Sequence, residues 1–321
     1  MKILITGGAG FIGSHLAEAM VTAGNEVTVI DDLSTGSQAN IEPLLSNPRF
    51  QFVRGSVCES GVLTVLVERC DLIFHLAAAV GVQLIVERPV HTISTNIHGT
   101  EVVLQLANAF RKKVILASTS EVYGKSTDMP FKEDADIVLG STRFSRWSYA
   151  CSKMIDEFLA LAYFNEFNLQ VVICRFFNTI GPRQTGQFGM VVPRFIRKAL
   201  RDETIEIFGT GNQTRCFCHV ADIVQGLSRI MDCPGAVGEV INLGSTESIS
   251  IKALAEKIVE MTGSNSTLRL LPYEQVYGRP FDDMLERRPD LTKAERLFGY
   301  KPTRSLEQTL SEIIAHEKGL R

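Results

Sequence analysis

The stretch Lys2-Ile3-Leu4-Ile5-Thr6-Gly7-Gly8-Ala9-Gly10-Phe11-Ile12-Gly13 decides the fold. Ile3 to Thr6 reads as a short buried strand, the glycines follow at once, and a helical pattern opens at Phe11. A strand, a glycine turn and a helix in that order aim backbone N–H groups at the positive end of the helix, where a pyrophosphate is held. Two spacings fit, Gly7-x-x-Gly10-x-x-Gly13 and Gly8-x-Gly10-x-x-Gly13. The expected ligand is a dinucleotide.

Further β-branched runs follow at Val27 to Asp31, Phe50 to Val53, Leu72 to Leu76, Val114 to Ala117 and Val171 to Cys174, separated by helical patterns. They are apolar throughout rather than alternating, as strands covered on both faces are. The expected fold is α/β, a doubly wound parallel (Rossmann) sheet with a smaller carboxyl-terminal α/β substrate domain. After Asn178 the texture changes, with Gly181-Pro182, Gly186, Gly189 and Pro193 as punctuation, and Glu239 to Asn242 reads as one more sheet strand. The division is therefore residues 1–178 plus about 215–243 for the dinucleotide domain, and about 179–214 plus 244–321 for the substrate domain. Ser250 is placed to cap a helix whose apolar residues Ile251, Leu254, Ala255, Ile258 and Val259 follow helical spacing.

Composition excludes several classes. Among 321 residues, 45% are hydrophobic and 21% charged, and the formal charge is -3, so no Lys/Arg surplus points to nucleic acid. No apolar run reaches the roughly 18 residues of a membrane span, and Met1-Lys2 leads straight into the first strand without a signal-type apolar region. Seven scattered cysteines suit free thiols, so the expected compartment is the cytoplasm. Cys216, Cys218 and His219 lack metal-site spacing, and no metal is expected.

Asp31 ends the second strand about 20 residues after the turn, the place of the acid that accepts from the adenosine ribose. A carboxylate there repels a 2′-phosphate, and Asp32 adds to the repulsion, so the expected cofactor is NAD. The rest of the expected cofactor wall is Ser34, Thr35, Gly36, Ser56, Val57, Leu76, Ala77, Ala78 and Ser118, with Gly7, Gly10, Phe11, Ile12 and Gly13 at the turn. His75 reads as structural. Tyr149 and Lys153 stand four apart in a helical segment, Ser148 to Leu161, so both project from one face. An ammonium beside a phenol favours the phenolate, and a tyrosine so activated can take a proton from a hydroxyl that is losing hydride.

Thr6-Gly7-Gly8-Ala9-Gly10-Phe11-Ile12-Gly13, Tyr149-x-x-x-Lys153 and Ser118-Thr119-Ser120 resemble the extended short-chain dehydrogenase/reductases, over nearly the whole chain. Within them the chain resembles the nucleotide-sugar epimerases, dehydratases and decarboxylases, in which Tyr149, Lys153 and Thr119 would act on a sugar hydroxyl. Ser120-Glu121 differs from the Asp-Glu pair usual in 4,6-dehydratases, and Glu121 from the small hydroxyl residue usual in 4-epimerases. Thr119-Ser120-Glu121 and Arg287-Arg288-Pro289-Asp290 are similar to UDP-glucuronate decarboxylases (UDP-xylose synthases), and Arg146-Trp147-Ser148-Tyr149 to the decarboxylase domain of the bacterial aminoarabinose pathway. The resemblance implies oxidation at C4 of a UDP-hexuronic acid, loss of carbon dioxide from the β-keto acid, and Glu121 and Arg287 managing the carboxylate and the C5 proton. It implies Asn178, Arg194, Arg215 and Arg287 as substrate contacts, and a homodimer through helices near 100–110 and 150–163. Ser56 stands where the family usually has an aspartate, and Ala79 to Gln83 differs from typical UDP-xylose synthases, so another sugar stays open. A UDP-sugar 4-epimerase and a non-catalytic dinucleotide-sensing protein are the alternatives.

Overall fold

The computed structural model describes residues 1–186, 190–278 and 281–319; Gly189 lies outside them. Seven strands form one parallel sheet: β1 (Lys2–Thr6), β2 (Glu26–Asp31), β3 (Phe50–Arg54), β4 (Leu72–His75), β5 (Lys113–Thr119), β6 (Val171–Phe176) and β7 (Val240–Leu243). Their spatial order is β7-β6-β5-β4-β1-β2-β3. The chain thus reverses direction of winding between β1 and β4, and a crevice opens there at the carboxyl edge.

Apolar residues fill both faces, which is why the strands show no alternation. Ile3, Ile5, Val27 and Val29 pack under helices Phe11–Thr22 and Val220–Met231, while Leu4, Ile30, Ile73 and Leu116 pack under helices Pro89–Ala109 and Arg146–Phe167. Each such buried side chain is worth roughly 1.5–3 kcal/mol, so the register is strongly specified. That register levels the strand ends: Thr6 pairs with Ile30 and His75, and His75 with Leu116. β5 runs three residues further, carrying Ser118 and Thr119 beyond the edge.

A second core gathers Phe195, Ile196, Ile205, Ile207, Leu254, Ile258, Leu310 and Ile313. Its strand Ile205–Phe208 pairs in parallel with Leu268–Leu271, and Thr214–Cys216 pairs antiparallel with Ser248–Ser250. Ser250 Oγ accepts from the Ala253 N–H at 3.1 Å, and helix Ile251–Thr262 ends at Gly263 with φ 64°, the capping expected at its start and a left-handed stop at its end. Ala294 and Tyr300, far along the part of the chain assigned to the substrate domain, belong to the sheet's own core. Among the described residues no helix is long and apolar enough to cross a membrane.

Candidate active site

The turn after β1 is built for a close ligand. Gly7 has φ +69°, and a Cβ there would stand 2.7 Å from the Ala77 backbone nitrogen; a Cβ on Gly13 would strike the Gly7 carbonyl. Gly8 has a different task, because its Cβ would meet the Val29 side chain, so it lets the turn lie on β2. All three tight glycines let backbone pack on its neighbours, but Gly7, Gly10 and Gly13 also line the cavity beside the turn, and Gly8 does not. Gly10, with φ -75°, has a backbone any residue adopts; glycine there leaves space alone. Gly10→Val is expected to keep the fold and to abolish the rise in melting temperature on adding NAD, which for a protein holding ligand at a hundred times its Kd corresponds to about 2.7 kcal/mol.

This cradle opens into a cavity of about 980 Å³ lined by Gly7, Gly10, Phe11, Ile12 and Gly13 from the turn. Asp31, Asp32, Ser34, Thr35 and Gly36 line it after β2, Ser56 and Val57 after β3, and Leu76, Ala77 and Ala78 after β4. Ser118, Thr119, Ser120, Glu121, Tyr149 and Lys153 close the far side. Asp31 accepts from the Ala9 N–H at 2.9 Å and the Leu33 N–H at 2.8 Å, which fixes its carboxylate at the cavity wall. Burial pushes its pKa up, an effect the backbone N–H donors oppose. Length, cradle and acid together fit a dinucleotide. Ser118 lines the cavity, but its hydroxyl proton goes to Glu157, which also binds Arg175 at 2.7 Å.

Tyr149 and Lys153 emerge from the sheet-facing side of helix Arg146–Phe167, both buried. The Thr119 hydroxyl lies close enough to Tyr149 to favour the phenolate and accepts the Glu121 N–H at 3.2 Å, capping the turn Ser120–Tyr123. Burial and the Glu121 charge hold the Tyr149 phenol above its ordinary range. The Lys153 ammonium donates to Asp156 at 2.8 Å, so its partner in this state is a carboxylate, where the sequence alone pairs it with the phenol.

Tyr149 also lines a second cavity of about 210 Å³, between the sheet and the smaller core. Its charged wall is a cluster from four distant stretches. Glu121 is gripped by Arg146 and by Arg287 at 3.3 Å. Asp283 accepts from Arg215 at 3.0 Å and from the Tyr273 hydroxyl at 3.0 Å, and lies 3.6 Å from Arg146. Burial acts to protonate Glu121, but Arg146 and Arg287 more than offset it and hold the carboxyl below its usual range. Burial and Arg215 pull the Arg287 guanidinium down to about 10. The two carboxylates do not balance Arg146, Arg215 and Arg287, and Arg194, stacked 3.9 Å over the Phe208 ring, adds a fourth cation. Buried polar atoms without a hydrogen bond point the same way: Asn178 Nδ2, Arg146 Nε, Arg194 Nε and Arg287 Nε. An unbalanced buried cation is costly unless an anion joins it. The charge of the cavity suits an anion.

The structure thus places Thr119, Ser120, Glu121, Tyr149, Asn178, Arg194, Arg215 and Arg287 along the two cavities, with Arg146 and Asp283 beside them. Arg146 stands three residues before Tyr149, a spacing that places both on one helix face; that signal was available in the sequence. None announced Asp283. His219 uses both ring nitrogens structurally, accepting from the Ala221 N–H at 3.0 Å and pairing with Glu312 at 3.0 Å.

One cleft for a dinucleotide, another for an anion, and a tyrosine shared between them are the division of labour of an extended short-chain dehydrogenase/reductase. A family model described as GDP-mannose 4,6 dehydratase matches residues 4–313, and the chain belongs to that family. It is 43% identical over 314 residues to a UDP-N-acetyl-alpha-D-glucosaminuronate decarboxylase of Bacillus cytotoxicus, covering 98% of this chain and 96% of the relative. A UDP-glucuronic acid decarboxylase 1 of Danio rerio is 36% identical over 98% of this chain and 72% of its own length. Among solved structures, UDP-glucuronic acid 4-epimerase from Bacillus cereus in complex with UDP-glucuronic acid and NAD superposes with a TM-score of 0.90 at 32% identity, covering 100% of both chains.

Proposed function

We propose that the protein is an NAD-dependent decarboxylase of a UDP-hexuronic acid, acting through oxidation at C4. The observation that carries this reading is Glu121 held between Arg146 and Arg287 beside Tyr149. Bound NAD supplies the two-electron acceptor. Tyr149 takes the C4 hydroxyl proton, steadied by Thr119, and Ser120 lines the same wall. The ketone then lies β to the carboxylate, so the C5–C6 electron pair can enter the carbonyl as carbon dioxide leaves, and C5 takes up a proton. Glu121, kept ionised, occupies one edge of each guanidinium and leaves Arg146 Nε and Arg287 Nε for the substrate carboxylate. Arg194, Arg215 and Asn178 suit the diphosphate, for which guanidinium forks are apt.

UDP-glucuronate is the first substrate to test, and the 43% relative favours its 2-acetamido counterpart as the second. The protein is incubated with NAD and each sugar nucleotide, and carbon dioxide and the pentose nucleotide are followed. UDP-galacturonate without gas overturns the decarboxylase in favour of a 4-epimerase. Glu121→Gln is expected to remove gas release by more than tenfold while NAD still raises the melting temperature; unchanged turnover removes Glu121 from the chemistry.

The exposed apolar residues Val90 and Ile93 on helix Pro89–Ala109, and Ile155 and Phe158 on helix Arg146–Phe167, support a homodimer through this helix pair. Phe158, 65% exposed in one chain, would be covered by a second copy. Phe158→Glu is expected to halve the mass seen by light scattering; a wild-type protein already monomeric sinks the dimer. Free cysteines and the soluble sugar nucleotide support a cytoplasmic setting.

A further inference from the structure

Asp156 has no solvent exposure and holds the ammonium that the proposed chemistry needs nearer Tyr149. A buried carboxylate satisfied at one oxygen alone is costly; burial pushes the Asp156 pKa up, an effect that Lys153 on Oδ2 and the Thr100 hydroxyl nearby oppose. Thr100 Oγ1 is 3.2 Å from His75 Nε2, His75 Nδ1 is 2.8 Å from Thr6 Oγ1, and the Ala77 N–H donates to Thr6 Oγ1 at 3.2 Å. Ala77 N is also the atom that a Cβ on Gly7 would meet. A polar chain therefore crosses the sheet edge from the glycine turn to Lys153.

Its Asp156 end, ionised beside Lys153, sets its direction, and the Ala77 end is compatible with it. The Ala77 N–H can only donate, which frees the Thr6 proton for His75 Nδ1. Burial pulls His75 down to about 3, so the ring is neutral and carries one proton. That proton then sits on Nε2 and goes to Thr100, whose own proton turns to Asp156, a group that only accepts. The opposite tautomer would leave the buried carboxylate oxygen without a donor.

We propose that Asp156 is a positioning residue for Lys153, the anchor of the chain Thr6–His75–Thr100, and that it holds the ammonium away from Tyr149 until the site is filled. The groups facing Tyr149 are Glu121 and Thr119 from the β5 end, and Arg146 and Asp156 from its own helix; Asp156 is faced by Lys153, Thr100 and Glu157. Both Glu121 and Asp156 oppose the phenolate. Removing the Asp156 charge frees Lys153 and takes away that opposition, so Tyr149 ionises at lower pH.

This rests on Tyr149 acting as the base, and two measurements separate the failures. Ring-nitrogen NMR of His75 in the nitrogen-15-labelled protein alone is expected to show the Nε2-protonated tautomer; an Nδ1-protonated ring overturns the chain whatever the reaction is. In the NAD-loaded enzyme, Asp156→Asn is expected to move the acid limb of the kcat/KM pH profile down by about one unit, a tenfold change in ionisation. Thr100→Val is expected to move it the same way by less, and it serves alone if Asp156→Asn does not fold. A limb that stays in place while only thermal stability falls overturns the positioning role.

Discussion

Tyr149→Phe is expected to lower carbon dioxide release from the UDP-hexuronic acid by about 10²- to 10⁴-fold, the range for loss of a positioned general base. The change removes one oxygen and leaves a ring of nearly the same volume in a buried position, so packing is conserved. What disappears is the acceptor for the C4 proton and the partner of the Thr119 hydroxyl. Because Tyr149 stands at the junction of the two cavities, neither the glycine cradle nor the arginine cluster depends on its hydroxyl. NAD binding and sugar-nucleotide binding are therefore expected to persist, with the loss confined to kcat. Single-turnover assays with titration of both ligands check this. Near-normal turnover in the phenylalanine variant would assign the proton to another group, and lost ligand binding would assign Tyr149 to structure.

The second large effect is on stability. Arg146 is 1% exposed at the first turn of its helix, where the dipole disfavours a cation. Glu121 and Asp283 more than offset that and the cost of burial, and hold its guanidinium more firmly protonated than usual. Arg146→Met keeps length and apolar contact but leaves Glu121 with Arg287 alone, a partner whose own charge is already strained by burial and Arg215. Breaking one side of a buried pair costs about 3–5 kcal/mol, and that loss is expected in denaturant unfolding. Adding Glu121→Leu is expected to restore part of it, since the orphaned charge goes too. If Arg146→Met costs under about 1 kcal/mol, the cluster is wetter than its burial implies.

Much of the fold was legible because its signals are local. The turn after Thr6, the capped helix at Ser250 and the continuous apolar strands each follow from residues within a few positions of one another, where sterics and burial leave one choice. Small misreadings fall at the edges: β5 runs on to Thr119 because β6 offers Arg175 and Phe176 as partners, which no property of Ser118 itself reveals. The two glycine spacings were equivalent on paper, and only the tertiary structure separated them, by lining the cavity with Gly7, Gly10 and Gly13 and setting Gly8 against Val29 of the neighbouring strand.

The site divides the same way. The residues from Gly7 to Gly13, Asp31, and the Tyr149–Lys153 pair stand in short spacings, so the sequence by itself determined a dinucleotide cleft with a buried tyrosine at its mouth. Tertiary structure alone decided the charge of the second cavity. Glu121 meets Arg287 across 166 positions, and Arg146 meets an Asp283 that nothing nearby marks out. Likewise the Lys153 ammonium goes to Asp156, whose surroundings are completed by Thr100, His75 and Thr6, from two strands and another helix. Backbone geometry is a short-range property and can be read along the chain; the energy of a buried charge depends on every charge within a few ångströms, and those come from wherever the fold brings them.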